Sequence, residues 1–135
     1  MTRMKTKMTM KGAKLAGLGN DIVAISRIRQ SIEKHGDHFL GRLFTQQEID
    51  FCNKYQDSVP HFAGRFAAKE AIAKALGTGF GAKLGWHDIE ILSDELGKPI
   101  VHLSSGLQAT LKSTCIHLSI SHCNEYATAV AVWEA

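Results

Sequence analysis

Two acids far apart in the chain, Asp21 and Glu70, have the settings in which side chains do chemistry. Asp21 follows Gly19 and Asn20 inside an apolar stretch, Leu18 to Ile25. A carboxylate is costly to bury there unless it is paired or holds a metal. Taken alone, Asp21 also fits a strand-end acid that faces water. Glu70 belongs to the run Arg65-Phe66-Ala67-Ala68-Lys69-Glu70-Ala71-Ile72-Ala73-Lys74. Glu70 and Lys74 are four apart and share one helix face, with Phe66 one turn earlier. Their plain reading is a surface ion pair, worth about 0.3–0.5 kcal/mol. The Ala and Phe neighbours instead point to a largely buried helix, and Arg65 and Lys69 add two cations nearby in sequence.

These residue types fit together around a diphosphate. Magnesium is typically held by one or two carboxylates with phosphate oxygens and waters, and Asp21 and Glu70 supply that pair. A metal that bridges two phosphates neutralises charge and holds the reacting phosphorus for in-line attack. Lys74, a compact point charge, suits the leaving phosphate. Arg65 offers a planar fork for a further phosphate.

The elements that must position these groups alternate between strand and helix signals. Leu18 to Ile25 predicts a first strand, with Gly17 and Gly19 marking close backbone approach. Ser26 is placed to cap a helix that runs to about Lys34 and stops at Gly36. Thr45 and Glu48 match a capping box, so a helix is expected over Gln46 to Tyr55. Pro60 suits a first helical turn, His61 to Leu76 carries the strongest helical pattern, and Gly77 supplies the stop.

Trp86 to Leu92 and Lys98 to Leu103 predict two strands joined by a turn over Asp94 to Gly97. A short helix from Ser104 or Ser105 to about Lys112 follows. Ile116 to Ser121 and Ala127 to Trp133 then close the chain as a hairpin. The expected fold is α+β, an antiparallel sheet packed against one long helix.

Composition narrows the function classes. The chain has 135 residues, 44% hydrophobic and 21% charged, which suits one globular domain. No apolar run approaches the ~20 residues needed to cross a bilayer. The first residues lack the apolar centre of a secretory signal, so the expected compartment is the cytoplasm. The net charge is +3, yet Arg3, Lys5, Lys7, Lys11 and Lys14 give residues 1–14 a charge of +5 by themselves. The other 121 residues hold 11 basic and 13 acidic side chains, a balance that argues against nucleic acid as a partner. Residues 1–14 also contain every methionine and show no periodic apolar pattern. They are expected to be a disordered basic leader ahead of a single domain over 15–135. Cys52, Cys115 and Cys123 form no C-x-x-C pair and are odd in number, against a disulfide framework. Buried free thiols are expected, with a chance Cys/His cluster the lesser alternative.

Gly19-Asn20-Asp21-Ile22-Val23 and the run from Phe66 through Lys74 to Gly77-Thr78-Gly79 closely resemble the two signatures of holo-acyl-carrier-protein synthases. These are the small phosphopantetheinyl transferases of fatty-acid synthesis. Trp86-His87-Asp88-Ile89-Glu90, Gly97-Lys98-Pro99 and Ser119-Ile120-Ser121-His122 look like the family's later landmarks, in the same order. The resemblance runs from about residue 17 to the end.

It implies transfer of 4'-phosphopantetheine from coenzyme A to a serine of acyl carrier protein, with release of adenosine 3',5'-bisphosphate. It implies a homotrimer with coenzyme A in clefts between subunits. Magnesium falls to Asp21 and Glu70, and the phosphates of coenzyme A to Arg65 and Lys74. The base stays open between Glu70 and a water on the metal. Gly97, Pro99 and His122 are implied on the nucleotide side, although a hairpin turn and a strand-end histidine explain them equally. Arg27 on the first helix matches an arginine that meets the acidic carrier, with Ser31 and Lys34 on the same face.

Two departures stand out. Asn20 replaces the apolar or small residue usual before the aspartate, which leaves Asp21 untouched because neighbouring strand residues face opposite ways. Asp37 lies where more basic residues are usual, so the carrier-binding surface is expected to be less positive.

Overall fold

The computed structural model describes residues 14–135, so the leader expected over 1–14 lies, apart from Lys14, outside the described residues. Strand β1, Leu15–Ala24, is shaped by its glycines. A Cβ on Gly17 would lie 1.8 Å from the carbonyl oxygen of Ala75, and one on Gly19 would lie 1.9 Å from that of Ala71. Only a strand without side chains at these positions lets a helix backbone come so near. That helix is α3, Val59–Leu76, and its own side of the contact is made of buried Ala71 and Ala75. The alanine run therefore serves packing between backbones as well as helix propensity.

Helix α3 opens with proline in its first turn and ends at Gly77, whose φ of 79° lets its N–H reach back to Ala73 and Lys74. It lies against one face of an antiparallel sheet ordered β1-β5-β4, where β4 is Cys115–His122 and β5 is Tyr126–Glu134. A second sheet is the hairpin of β2, Ile89–Ser93, and β3, Pro99–Leu103. The core between these parts holds Phe44, Phe62, Ile72, Leu84, Ile89 and Ile91, each almost wholly removed from water. Each such side chain contributes about 1.5–3 kcal/mol by burial. The other face of the three-stranded sheet is bare, with Leu18, Ile22 and Val130 at 60%, 67% and 43% exposure.

The α+β class stands, with further helical segments beside α3. Helix α1 spans Ile25–Leu43. Gly36, at φ 54° and ψ −131°, breaks it into two pieces. The first piece thus ends at Gly36, where the stop was expected, and a second helical piece begins beyond it. Ser26 does not cap α1. The helix leaves β1 directly from Ala24, and the Ile25 N–H donates instead to the carbonyl of Glu125, at 2.8 Å.

Helix α2, Gln46–Cys52, carries the expected capping box at Thr45 and Glu48 but ends before Tyr55. Trp86–Asp88 forms a 3-10 turn ahead of β2, stabilised by the Gly85 N–H donating to Asp88 at 2.8 Å. The short helix α4, Ser105–Thr110, is capped by Ser104.

Candidate active site

Backbone register puts Asp21 where Glu70 and Lys74 can reach it. In β1, Asp21 pairs with Ala129 and shares the α3-facing side with Gly19 and Val23, while Asn20 pairs with Val130 on the bare side. The Lys74 ammonium donates to Asp21 Oδ1 at 3.2 Å and to the Asn20 carbonyl at 2.9 Å. The Asp21 side chain is 14% exposed and that of Lys74 53%, so the carboxylate is recessed beneath an exposed cation.

Glu70 lies one helical turn before Lys74, in the same electrostatic field. Partial burial first, and then the charge of Asp21, raise its pKa above the ordinary carboxylate value, while Lys74 and Arg27 pull it down. Asp21 and Glu70 offer hard carboxylate oxygens of the kind that suits Mg2+. Arg27, in the first turn of α1, is exposed beside this cluster. The structure thus gathers Asp21, Arg27, Glu70 and Lys74.

Arg65, Gly97 and Pro99 meet elsewhere, in a cleft of about 390 Å³ shared with Phe51, Tyr55, His61, Asp94 and Ile120. Arg65 is 6% exposed. Its Nε donates to the Ile91 carbonyl at 3.1 Å, one terminal nitrogen donates to Ser93 Oγ at 3.3 Å, and its plane lies 4.2 Å over the Phe51 ring. Its burial pulls its pKa below that of a free guanidinium. Five residues separate Arg65 from Glu70, about 140° around a helix of 3.6 residues per turn. The two groups of site residues therefore sit on different faces of α3. His122 is exposed at the end of β4, with its ring 5.7 Å from that of His61 at the cleft.

Lys69 takes no part in either group. Its ammonium is wholly buried and donates to Glu48 at 2.7 Å and to the carbonyls of Leu43 and Trp86 at 2.7 and 3.0 Å. Burial lowers its pKa against the pull of Glu48. Glu48 also accepts from the Ile91 N–H at 2.7 Å, so this pair ties α2, α3 and β2 together. Among the described residues no buried side-chain polar atom lacks a partner.

Sequence reasoning missed the aromatic wall of the cleft. Tyr55 stacks on His61 at 3.5 Å between ring centroids. The available signal was His61 one turn before Arg65, on the same helix face. Tyr55 had none, because it lies outside α2 in a turn that only the folded chain brings near α3.

Comparison with known proteins shows the family. Residues 17–131 match the family model of the 4'-phosphopantetheinyl transferase superfamily. The chain is 50% identical over 119 residues to the holo-acyl-carrier-protein synthase of Protochlamydia amoebophila, covering 88% of this chain and 98% of that one. It is 50% identical over 123 residues to the Clostridium novyi synthase, covering 89% and 88%. The Helicobacter pylori synthase, solved in complex with coenzyme A, superposes with a TM-score of 0.80 at 35% identity, covering 86% of this chain and 99% of that one. The Neisseria meningitidis synthase gives 0.82 at 35% identity, covering 88% and 98%. The chain therefore belongs to the 4'-phosphopantetheinyl transferase superfamily, among its holo-acyl-carrier-protein synthases.

Proposed function

We propose that the protein transfers 4'-phosphopantetheine from coenzyme A to a serine of acyl carrier protein, releasing adenosine 3',5'-bisphosphate, in cytoplasmic fatty acid biosynthesis. The observation that carries this reading is the meeting of Asp21, Glu70 and Lys74 at the contact of β1 and α3. A protein that only binds a nucleotide has no need of two carboxylates held in mutual repulsion.

Asp21 and Glu70 would hold Mg2+, which when bound supplies positive charge to the diphosphate oxygens. In the reaction the serine Oγ forms a bond to the inner phosphorus. The bond from that phosphorus to the bridging oxygen breaks, and its electron pair leaves with adenosine 3',5'-bisphosphate. Lys74 swings from Asp21 to the departing phosphate, a move that its exposure permits. Glu70 takes the serine proton, since partial burial and the charge of Asp21 make it a stronger base than a free carboxylate. Arg27, beside Glu70, receives the acidic carrier and brings its serine to the acid. Arg65, Gly97, Pro99 and His122 hold the nucleotide end.

The separation of the two residue groups around α3 supports a homotrimer in which one coenzyme A spans neighbouring subunits. The bare face with Leu18, Ile22 and Val130 offers the apolar surface for that assembly.

The test is to mix the protein with apo carrier protein, coenzyme A and Mg2+, and to weigh the carrier by mass spectrometry. The carrier should gain the phosphopantetheine mass only when Mg2+ is present. A carrier that stays unmodified across several apo proteins would refute the assignment.

A further inference from the structure

The end of the sheet carries a second cluster of metal-binding groups, remote from the carboxylates described above. Cys115 and His117 stand two apart on β4 and so project from the same face. Glu134 on β5 is the direct cross-strand partner of Cys115. The ligand atoms of all three residues lie within 4.8 Å of one another. Cys115 Sγ is 3.5 Å from His117 Nε2, and His117 Nε2 is 2.7 Å from Glu134 Oε1.

We propose that Cys115, His117 and Glu134 form a binding site for Zn2+. With a zinc–nitrogen bond of about 2.0–2.1 Å and a zinc–sulfur bond of about 2.3 Å, tetrahedral ligands stand about 3.5 Å apart. The Cys115–His117 pair already has that spacing. The Glu134 carboxylate must draw back until it is about 3.3 Å from the imidazole to share the ion. In the single chain its side chain is 32% exposed and that of His117 58%, and both lie at the end of the sheet face offered to neighbouring subunits, so the ion would sit at the margin of that interface.

The backbone beneath is fixed. Register is unbroken from Cys115–Glu134 to His122–Ala127, and Trp133 Nε1 donates to the Ser113 carbonyl at 2.9 Å just before the site. A thiolate and an imidazole select zinc over magnesium, and three protein ligands leave the fourth position to water. The Cys115 thiol gives up its proton on binding, so affinity rises with pH.

This site is distinct from the one at Asp21. Asp21 pairs with Ala129 on the side that faces α3. Glu134 lies five residues farther along β5 on the opposite side, about 17 Å away at the usual rise per strand residue.

Cobalt reports on the proposal directly, because a thiolate bound to Co2+ gives a near-ultraviolet charge-transfer band that oxygen ligands do not. Metal-free protein titrated with Co2+ should develop this band at one ion per chain, and Zn2+ should bleach it. Cys115→Ser should abolish it and His117→Ala should weaken binding at least tenfold, with circular dichroism confirming that both variants are folded. Cys123→Ser, which changes the other exposed thiol, and Asp21→Ala with Glu70→Gln should leave the band intact. A missing band, a band that survives Cys115→Ser, or one lost in Cys123→Ser overturns the site.

Discussion

The Lys69 ammonium and the Glu48 carboxylate meet at 2.7 Å with neither side chain open to water. The pair also takes up the Leu43 and Trp86 carbonyls and the Ile91 N–H, so every charge is matched by hydrogen bonds. Lys69 sits between Arg65 and Glu70 in the signature run yet works as a tie between elements. Removing one partner leaves a buried charge alone. Lys69→Met should therefore cost about 3–5 kcal/mol in denaturant unfolding. Adding Glu48→Gln should recover much of that loss. A cost below about 1 kcal/mol for the single variant would show that the tie is not structural.

Glu70 should separate catalysis from stability. Its raised pKa means that the folded chain binds a proton more readily than the unfolded chain. Its ionised form is then a net cost to folding at neutral pH, and stability is lost as pH rises through the folded value. Glu70→Gln should thus melt at the same temperature as the native protein or higher, while turnover falls by about 10²-fold or more. Turnover that is unchanged would take Glu70 out of the reaction.

The same shift sets a pH dependence. Below its raised pKa, Glu70 carries a proton that competes with a cation for the carboxylate. The acid limb of activity should fall above the ordinary carboxylate value of 4.5. It should move to lower pH as Mg2+ is raised, because metal and proton exclude each other. Activity profiles at two magnesium concentrations check this, and a limb that ignores magnesium contradicts it.

Gly19 leaves no room for a side chain, since the atoms nearest a new Cβ belong to the backbone of α3. Gly19→Ala must push β1 from the helix and carry Asp21 with it. A loss of both thermal stability and turnover is expected, whereas Gly41→Ala, where a new Cβ meets no other part of the chain, should lower neither. Equal melting temperatures for the native chain and Gly19→Ala would contradict the close approach.

Thiol reactivity should split the cysteines. Burial pushes the Cys52 thiol up to about 12, whereas Cys115 and Cys123 are exposed. The expectation of buried thiols thus holds for Cys52 alone, because the other two sit at strand ends and edges. In the native protein a maleimide should label Cys123 quickly and Cys52 only after unfolding. Fast labelling of Cys52, read by peptide mass spectrometry, would contradict its burial.

The elements themselves were largely readable because their signals are local. The capping box at Thr45, the proline and glycine that bound α3, and the alternation in β5 each act within a few residues. Ser26 misled for the same reason. A serine near a helix start has no duty when the chain enters from a strand.

By itself the sequence determined which residues are chemically suited to a metal and a diphosphate, and that Glu70 and Lys74 share a helix face. Folding decided which of the four helix groups of like appearance, Arg65, Lys69, Glu70 and Lys74, turns toward Asp21, which toward a cleft and which into the core. The physical reason is that helical spacing fixes angles within α3, whereas the glycine contact with β1 and the buried tie to Glu48 fix how α3 is rotated. Both of those partners lie more than twenty residues away.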